Sequence, residues 1–402
     1  MPRILCISPY VPHPVTHGGG IRTRLLLESL HGLGQVHLAA PVTREQDRAD
    51  AQYLADAEDL IAHELPAKAD LSSGKIGKVA HWLRGESEML ARRWTQAAKS
   101  KVAELLRTYR FDLVVADGAH VLPVLPRIAA PLVFHMHNVE SAILAREPST
   151  KEPLQSRVTR RIEALRTARV ERAALAAAAM SVTVSDRDRE IALRLCPTAR
   201  VISVPNAVNA NLPAVGCAWT GGPIRLLFVG RLDYPPNLEA VTELVEQHLP
   251  ALRDAFPGTT VRIVGEDSHG AAKGLQRQGV ELLGRVSDLM PHYAQSHAAF
   301  VPLRSGGGTR LKILEAFALG LPVASTAVGS EGLAAQDSVH YRRFETPAEG
   351  VAALRDLLGA NRDAYVRRAK ELVSASYSHT ASVTALRAAC ASAMAIAATA
   401  SR

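Results

Sequence analysis

At 402 residues the chain is long enough for two or three domains. Apolar residues make up 47% and charged residues 21%, an ordinary globular balance that excludes a disordered or fibrous chain. The formal net charge of +8 suits a phosphate-bearing ligand, an anionic membrane surface or nucleic acid; Arg is scattered along the chain, which equally describes a soluble basic protein.

Arg3 to Ser8 reads as a buried parallel strand. The loop Pro9 to His17 leads to Gly18, Gly19 and Gly20, followed by a helix from Ile21 to about Leu33. A glycine turn between first strand and first helix is where doubly wound sheets bind ligands, although the GxGxxG spacing is missing. Arg22 then stands in the first helical turn, as a phosphate or acceptor candidate or as a solvated charge. Val36 to Ala40 and Ile61 to Leu65 read as strands. Pro66 to Arg110 reads as mostly helical, with Trp82, Met89 and Trp94.

Phe111 to Ala116 is an apolar strand that ends in Asp117, at a ligand-collecting position or as a helix cap. Leu132 to His137 is the next strand, and alternation puts His135 and His137 on one face. Two His at that spacing could suggest a metal pair, but no third ligand of matching type lies nearby in sequence, so no metal is expected. Glu152 to Ala179 is a long Arg-rich helix, which can lie on anionic lipid or simply be solvated, with Glu163 and Glu171 breaking the charge. Met180 to Val184 and Val201 to Pro205 are strands, and Ser185 or Asp186 caps the helix between them.

Asn211 to Gly222, loose and rich in Pro and Gly, reads as a linker. The domains expected are 1–212, 218–376 and a last helix, 377–402. In the second domain Leu226 to Val229 leads to Gly230 and Arg231, Val261 to Val264 leads to Gly265, and Val280 to Leu283 leads to Gly284 and Val286. Strands alternating with helices in both halves predict two parallel-sheet domains.

The stretch Val301 to Ala324 organises the second half. An apolar strand runs into Gly306, Gly307 and Gly308, and a helix begins near Thr309 and stops at Gly320. Glycines admit close approach of a ligand, and a helix N-terminus suits phosphate. Arg310 and Lys312 add positive charge, and Glu315, farther along the helix, can accept hydrogen bonds from hydroxyls. Phosphate at one end and a polyol acceptor beside it describe a sugar-nucleotide pocket.

This stretch, continued by Glu331-Gly332-Leu333, resembles the donor-site signature of family 4 glycosyltransferases, in the wording GGGTRLK-LEA. Glu315 matches the second Glu of the family's Glu-x(7)-Glu, and Gly307 occupies the place of the first. The resemblance extends to the first glycine loop, to "HN-E" at His137, Asn138 and Glu140, and to Asn206 to Asn209. It implies the GT-B architecture: α/β, two doubly wound Rossmann-like domains facing across a cleft, with the last helix crossing back. It implies a retaining transfer from a nucleoside diphosphate sugar to a small-molecule, glycan or lipid-linked acceptor, with no metal and no other cofactor.

By the same resemblance His137 hydrogen-bonds the donor sugar, and Arg231 reaches the diphosphate. Gly19, Gly20, Gly230, Val286, the three later glycines, Thr309 and Arg310 line the donor. Arg22, Asp117 and Glu140 are acceptor or phosphate candidates. The family's usual Lys after the Arg231 loop is missing, since Tyr234-Pro235-Pro236-Asn237 stands there, and Lys312 is the candidate to replace it. The missing Glu and Lys leave a second reading, a non-catalytic sugar-nucleotide-binding or partner protein, and a sugar-nucleotide epimerase is a third. No nucleic-acid partner is expected.

Cys6, Cys196, Cys217 and Cys390 lie far apart with no CxxC, which fits a reducing compartment. The first residues read as a strand rather than a signal peptide, and no apolar run reaches bilayer length. The expected location is cytoplasmic, or peripheral at the inner membrane face.

Overall fold

The computed structural model describes residues 1–14, 18–68, 81, 85–146, 154–210, 212–307 and 309–400. The chain divides into two units, Met1–Pro205 with Thr380–Arg402, and Asn206–His379.

The first unit carries a seven-stranded parallel sheet in the order β3-β2-β1-β4-β5-β6-β7. Its strands are β1 Arg3–Ile7, β2 Gln35–Val42, β3 Ile61–Pro66, β4 Leu113–Asp117, β5 Leu132–His135, β6 Met180–Thr183 and β7 Val201–Ser203. The central strands are near-continuous apolar runs because both faces are covered: Ile4 to Ile7 and Leu113 to Ala116 are fully buried, whereas the edge strand β3 is mostly half-buried. Strand order reverses direction between β1 and β4, so the loops at their carboxyl ends part and leave a crevice, the place where such sheets bind ligands.

The second unit has a six-stranded sheet, β10-β9-β8-β11-β12-β13, again parallel. Its strands are β8 Arg225–Val229, β9 Thr260–Val264, β10 Val280–Leu282, β11 Ala298–Val301, β12 Val323–Ser325 and β13 Arg342–Arg343. Here the reversal falls between β8 and β11. The loop after β8 carries Gly230 and Arg231, and the loop after β11 carries the later glycines, so topology alone brings these two stretches to one crevice.

Several element boundaries differ from those expected. The first helix is Gly18–His31, so the three glycines form its opening turn rather than a loop before it. The helix after the second glycine run is Leu311–Ala318, two residues later than expected, with Arg310 at its cap. Strand β5 stops at His135, leaving Met136 and His137 in the loop beyond. The unit boundary lies at Asn206, ahead of the stretch expected as linker. Among the described residues of the Pro66–Arg110 stretch, helices span Glu88–Ala91 and Gln96–Thr108; Trp82 lies outside the described residues, as do Asn211 and Gly308.

One helix among the described residues, over His379–Ala397, is long and apolar enough to cross a bilayer by length and composition, which corrects the expectation of no such run. Its hydropathy comes from a dense run of alanines, and Val383, Leu386, Cys390 and Ala393 are buried at helical spacing, as in a core helix.

The long Arg-rich helix, Leu154–Ala177, uses its two acids inward. Glu163 accepts hydrogen bonds from Ser87 Oγ at 2.6 Å and Met89 N at 2.9 Å, at the start of the helix Glu88–Ala91. Glu171, fully buried, accepts from Glu140 N at 2.7 Å and from Ser141, at the start of the helix Glu140–Ala145. Each carboxyl thus satisfies N–H groups that a helix start leaves without partners. Burial pushes the Glu171 carboxyl up to about 7, against the hydrogen bonds from Ser141 and Glu140 N. Replacing Glu171 by Ala leaves those N–H groups buried without an acceptor. We expect a loss of about 1–3 kcal/mol in urea unfolding, and an unchanged midpoint would contradict this capping role.

Candidate functional site

At the carboxyl edge of the second sheet three glycines stand at strand ends: Gly230 after β8, Gly265 after β9 and Gly284 near β10. Gly230 N donates to Val264 O and Gly265 N to Gly284 O, both at 2.8 Å. A Cβ on Gly265 would come within 2.0 Å of Gly230 O, so no side chain fits there. A Cβ on Gly230 would meet the Lys312 ammonium at 2.7 Å. The absence of side chains is therefore what lets Lys312 reach the end of β8.

Lys312 lies in the first turn of the helix Leu311–Ala318. Its Nζ donates to Asn237 Oδ1 at 2.8 Å and sits 4.0 Å from the centre of the Phe228 ring. The same Asn237 donates from Nδ2 to Arg231 O at 2.8 Å. One amide thus ties the ammonium to the backbone that bears Arg231. Burial lowers the Lys312 ammonium to about 7; neighbouring Arg310 lowers it further and Glu315 opposes the shift. Arg231 itself is 43% exposed, with its guanidinium 3.7 Å from Asp233 and 3.9 Å from Glu266, loose ion pairs that leave it able to turn to another anion.

Glu315 lies three residues beyond Lys312, on the same side of the helix. The buried Tyr293 hydroxyl donates to Glu315 Oε2 at 3.2 Å. Burial raises the Glu315 carboxyl, while this hydrogen bond and the Lys312 charge act the other way. Gly306 has φ of 111°, the left-handed region that favours glycine, and a Cβ there would meet the Tyr234 hydroxyl at 3.2 Å. Thr309 Oγ1 is buried without a hydrogen-bond partner beside the helix start. Gly307 is half-buried, and Val286 packs partly onto the core from the loop after β10.

Arg310 departs from the expected donor contact. It is 6% exposed, and its guanidinium bonds the carbonyls of Gly307 and of Val328, the latter at 3.3 Å. A loop of glycines has no ladder to take up its carbonyls, and Arg310 supplies the donors.

In the first unit the site residues gather around Asp117, fully buried at the end of β4. Its Oδ1 accepts from His135 Nδ1 at 2.7 Å and from His137 Nε2 at 2.6 Å. Its Oδ2 accepts from Thr23 Oγ1 at 2.6 Å. A carboxylate only accepts, so both rings must carry their protons on the nitrogen that faces it. Burial works to raise the Asp117 carboxyl, but the charge of His137 and the hydrogen bonds of both rings hold it well below the usual carboxylate range. Burial lowers His135 to about 3, helped by Arg22, so that ring is a neutral strut. His137 is 16% exposed, and its other nitrogen, Nδ1, lies 3.4 Å from the Tyr10 hydroxyl.

Asp117, His135 and His137 form a group of metal-ligand type, with ligand atoms within 4.8 Å of one another. The third member that sequence proximity did not supply is thus present, 18 residues before His135. Both rings, however, meet the same oxygen at hydrogen-bond length, and nitrogens bound about 2.0–2.1 Å from a zinc ion leave more space around that oxygen than this. Thr23 completes the carboxylate's partners, while His135 Nε2 is buried without one.

Arg22 was expected to face a phosphate or an acceptor. It is instead 1% exposed and donates to Pro205 O at 3.1 Å. Burial lowers its guanidinium to about 9, opposed by the Asp117 charge. It lies inside the helix Gly18–His31 on the face toward the core, the consequence of that helix starting three residues early. Gly19 and Gly20 are in the helix's first turn. Glu140 opens its own helix, and its carboxyl accepts from Asn138 Nδ2 at 3.1 Å. Ser185 caps the helix Asp186–Leu195 by accepting Asp188 N, which accounts for the Asp-x-Asp there. Sequence reasoning missed the parts played by Asn237, Tyr293, Tyr10 and Thr23; each acts on a residue distant in the chain, and no local pattern announces it.

Residues 223–360 match the family model "Glycosyl transferases group 1". An uncharacterized 44.6 kDa protein in the cps region of Klebsiella pneumoniae is 21% identical over 347 residues, covering 83% of this chain and 84% of that protein. Among solved structures, Anabaena Alr3699/HepE in complex with UDP and glucose superposes with a TM-score of 0.62 at 14% identity, over 96% of this chain and 98% of that one. Sucrose-phosphate synthase from Thermosynechococcus elongatus gives 0.65 at 16% identity, over 96% and 97%. WaaG, a glycosyltransferase involved in lipopolysaccharide biosynthesis, gives 0.64 at 15%, over 96% and 99%. The fold is that of GT-B glycosyltransferases: two parallel-sheet α/β domains.

The Lys312 geometry makes a stability prediction. Its folded value lies below the 10.5 of a free lysine, so the native state binds fewer protons between the two values. The stability this group allows is present at high pH and is lost as pH falls to about 7. Lys312→Met removes the buried charge, so its urea midpoint should exceed the parent's near pH 6 and converge with it by about pH 10. Equal midpoints at the lower pH would show that the ammonium is not buried at a cost.

Proposed function

We propose that the protein is a glycosyltransferase that moves a sugar from a nucleoside diphosphate sugar to an acceptor hydroxyl, with retention of anomeric configuration and without a metal. The observation that carries this reading is the convergence at the β8–β11 reversal: Arg231 on one loop and Lys312 on the next helix, tied through Asn237. When the bond from the anomeric carbon breaks, negative charge grows on the departing diphosphate, and fixed positive groups stabilise it. Lys312 supplies a charge that the helix start Tyr234–Asn237 lacks, and its neutral-range value lets an arriving diphosphate draw it fully into the protonated form. The start of the helix Leu311–Ala318 adds its dipole. Glu315, held by Tyr293, accepts the ribose hydroxyls.

In the first unit His137 is assigned to hydroxyls of the sugar and acceptor. Its Nε2 is taken by Asp117, so Nδ1 is the nitrogen left to meet a hydroxyl. We see no pair of carboxylates placed for double displacement among the residues of the site, and the reading takes the front-face route in which the leaving phosphate receives the acceptor's proton. The match of residues 223–360 to a glycosyltransferase family supports the donor half. The structural relative bound to UDP and glucose is in keeping with a nucleotide-sugar donor.

Lys312→Ala should lower kcat/KM for transfer by about 100-fold or more, in keeping with loss of a charge-stabilising group, while Tm stays equal or rises. Full turnover in that variant would remove Lys312 from the chemistry. Nucleoside diphosphate affinity, read by calorimetry, should weaken by up to about tenfold per pH unit above 7, as binding then requires uptake of a proton. In Lys312→Met that slope should vanish. EDTA should leave turnover intact; a strict divalent-ion requirement would reopen the Asp117–His135–His137 group as a metal site. Tight nucleotide binding with no transfer or hydrolysis across a panel of nucleotide sugars and acceptors would favour a binding protein of the same fold.

A further inference from the structure

The helix Leu154–Ala177 presents one face to solvent that nothing in the site accounts for. Val158, Arg161, Leu165, Arg169 and Arg172 follow one another at steps of three and four residues, the spacing of a single helical stripe. All five are exposed, Leu165 at 72%. Six large apolar side chains stand exposed among the described residues, and Val158 and Leu165 are two of them on this one stripe. The stripe extends for about 20 Å.

No acid stands on it, and the reason is structural. The helix has two carboxylates, Glu163 and Glu171, and both point the opposite way to cap the helices Glu88–Ala91 and Glu140–Ala145. The arginines that point inward are also committed, Arg160 to Leu144 O at 2.8 Å and Arg166 to Glu86 O at 3.4 Å. What remains outside is an alternation of guanidinium and aliphatic groups, uncompensated by any negative charge of the same helix.

We propose that this face docks on an anionic lipid surface, with the helix lying in the plane of the headgroups. A phosphate-lined interface attracts the three guanidiniums, and its acyl boundary accepts Leu165 and Val158. Nucleic acid would use the arginines and leave the aliphatic groups without a partner. A stable protein interface calls for a wider patch built around buried aromatic anchors, and this single stripe has none. The proposal stands apart from the transferase reading, because the surface is on the helix between β5 and β6 and its test needs no turnover.

The test is co-sedimentation of the full chain with vesicles of phosphatidylcholine alone or mixed with phosphatidylglycerol, at low and high salt. Binding should appear only with the anionic lipid and fall with salt. R161Q/R169Q/R172Q should lower the partition coefficient by about 100-fold, from about 1 kcal/mol per charge, with Tm unchanged since all three side chains are exposed. L165W should show a blue-shifted emission on anionic vesicles that the parent does not add to its own tryptophan signal. Equal partition of the triple variant, equal binding to neutral vesicles, or no emission shift would each overturn the docking. Binding to an anionic polymer such as heparin without binding to vesicles would overturn it in favour of a polyanion partner.

Discussion

A single side-chain amide organises the carboxyl edge of the second sheet. Asn237 accepts from the Lys312 ammonium and donates to the Arg231 carbonyl, joining two loops that are 75 residues apart in the chain. Without that bridge a lysine would be buried against Phe228 with no hydrogen-bond acceptor, at a cost that burial of an unpaired cation makes large. The bridge explains why the ammonium tolerates its surroundings with a lowered proton affinity, and why Gly230 must lack a side chain. It also couples orientation to charge: whatever moves the β8 loop moves the acceptor of the lysine's proton.

The first unit rests on the same physical principle with the signs reversed. There a carboxylate is buried completely, and three donors from two segments of the chain surround it. Two imidazoles turn a nitrogen toward it, so which nitrogen of His137 faces away, toward Tyr10, is chosen by a group that never touches solvent. Both clusters lie where strand order reverses, which is a property of the winding of the sheet rather than of any one motif.

Much of the architecture could be read from the chain. Strands such as Leu113–Asp117 and Ala298–Val301 are apolar runs followed by polar or glycine residues, and alternation with helices gave two parallel sheets. Lys312, Glu315 and Arg231 stand out in the chain because they flank glycine turns at strand ends, and the fold ties Lys312 to the Arg231 backbone through Asn237. Arg22 and Arg310 are harder to read, because charge near a glycine turn does not tell which way the side chain goes; both are buried and donate to backbone carbonyls, and Arg22 keeps Nε and Nη2 buried without a partner. The partners that orient the site, Thr23 for Asp117 across 94 residues or Tyr293 for Glu315 across 22, depend on tertiary packing that local periodicity does not encode. Glu163 and Glu171 looked like interruptions in a basic helix and are caps for other helices, for the same reason.

The near-contact of Gly265 with the Gly230 carbonyl bears on how such a protein can diversify. Main-chain atoms there leave no slack, so the crossing of the two loops admits no side chain at Gly265. Side chains at the margin, among them the exposed Tyr234 and Leu283, face no such restriction. On the proposed reading, descendants of this chain would vary in the side chains around the crevice while keeping the backbone crossing between the ends of β8 and β9.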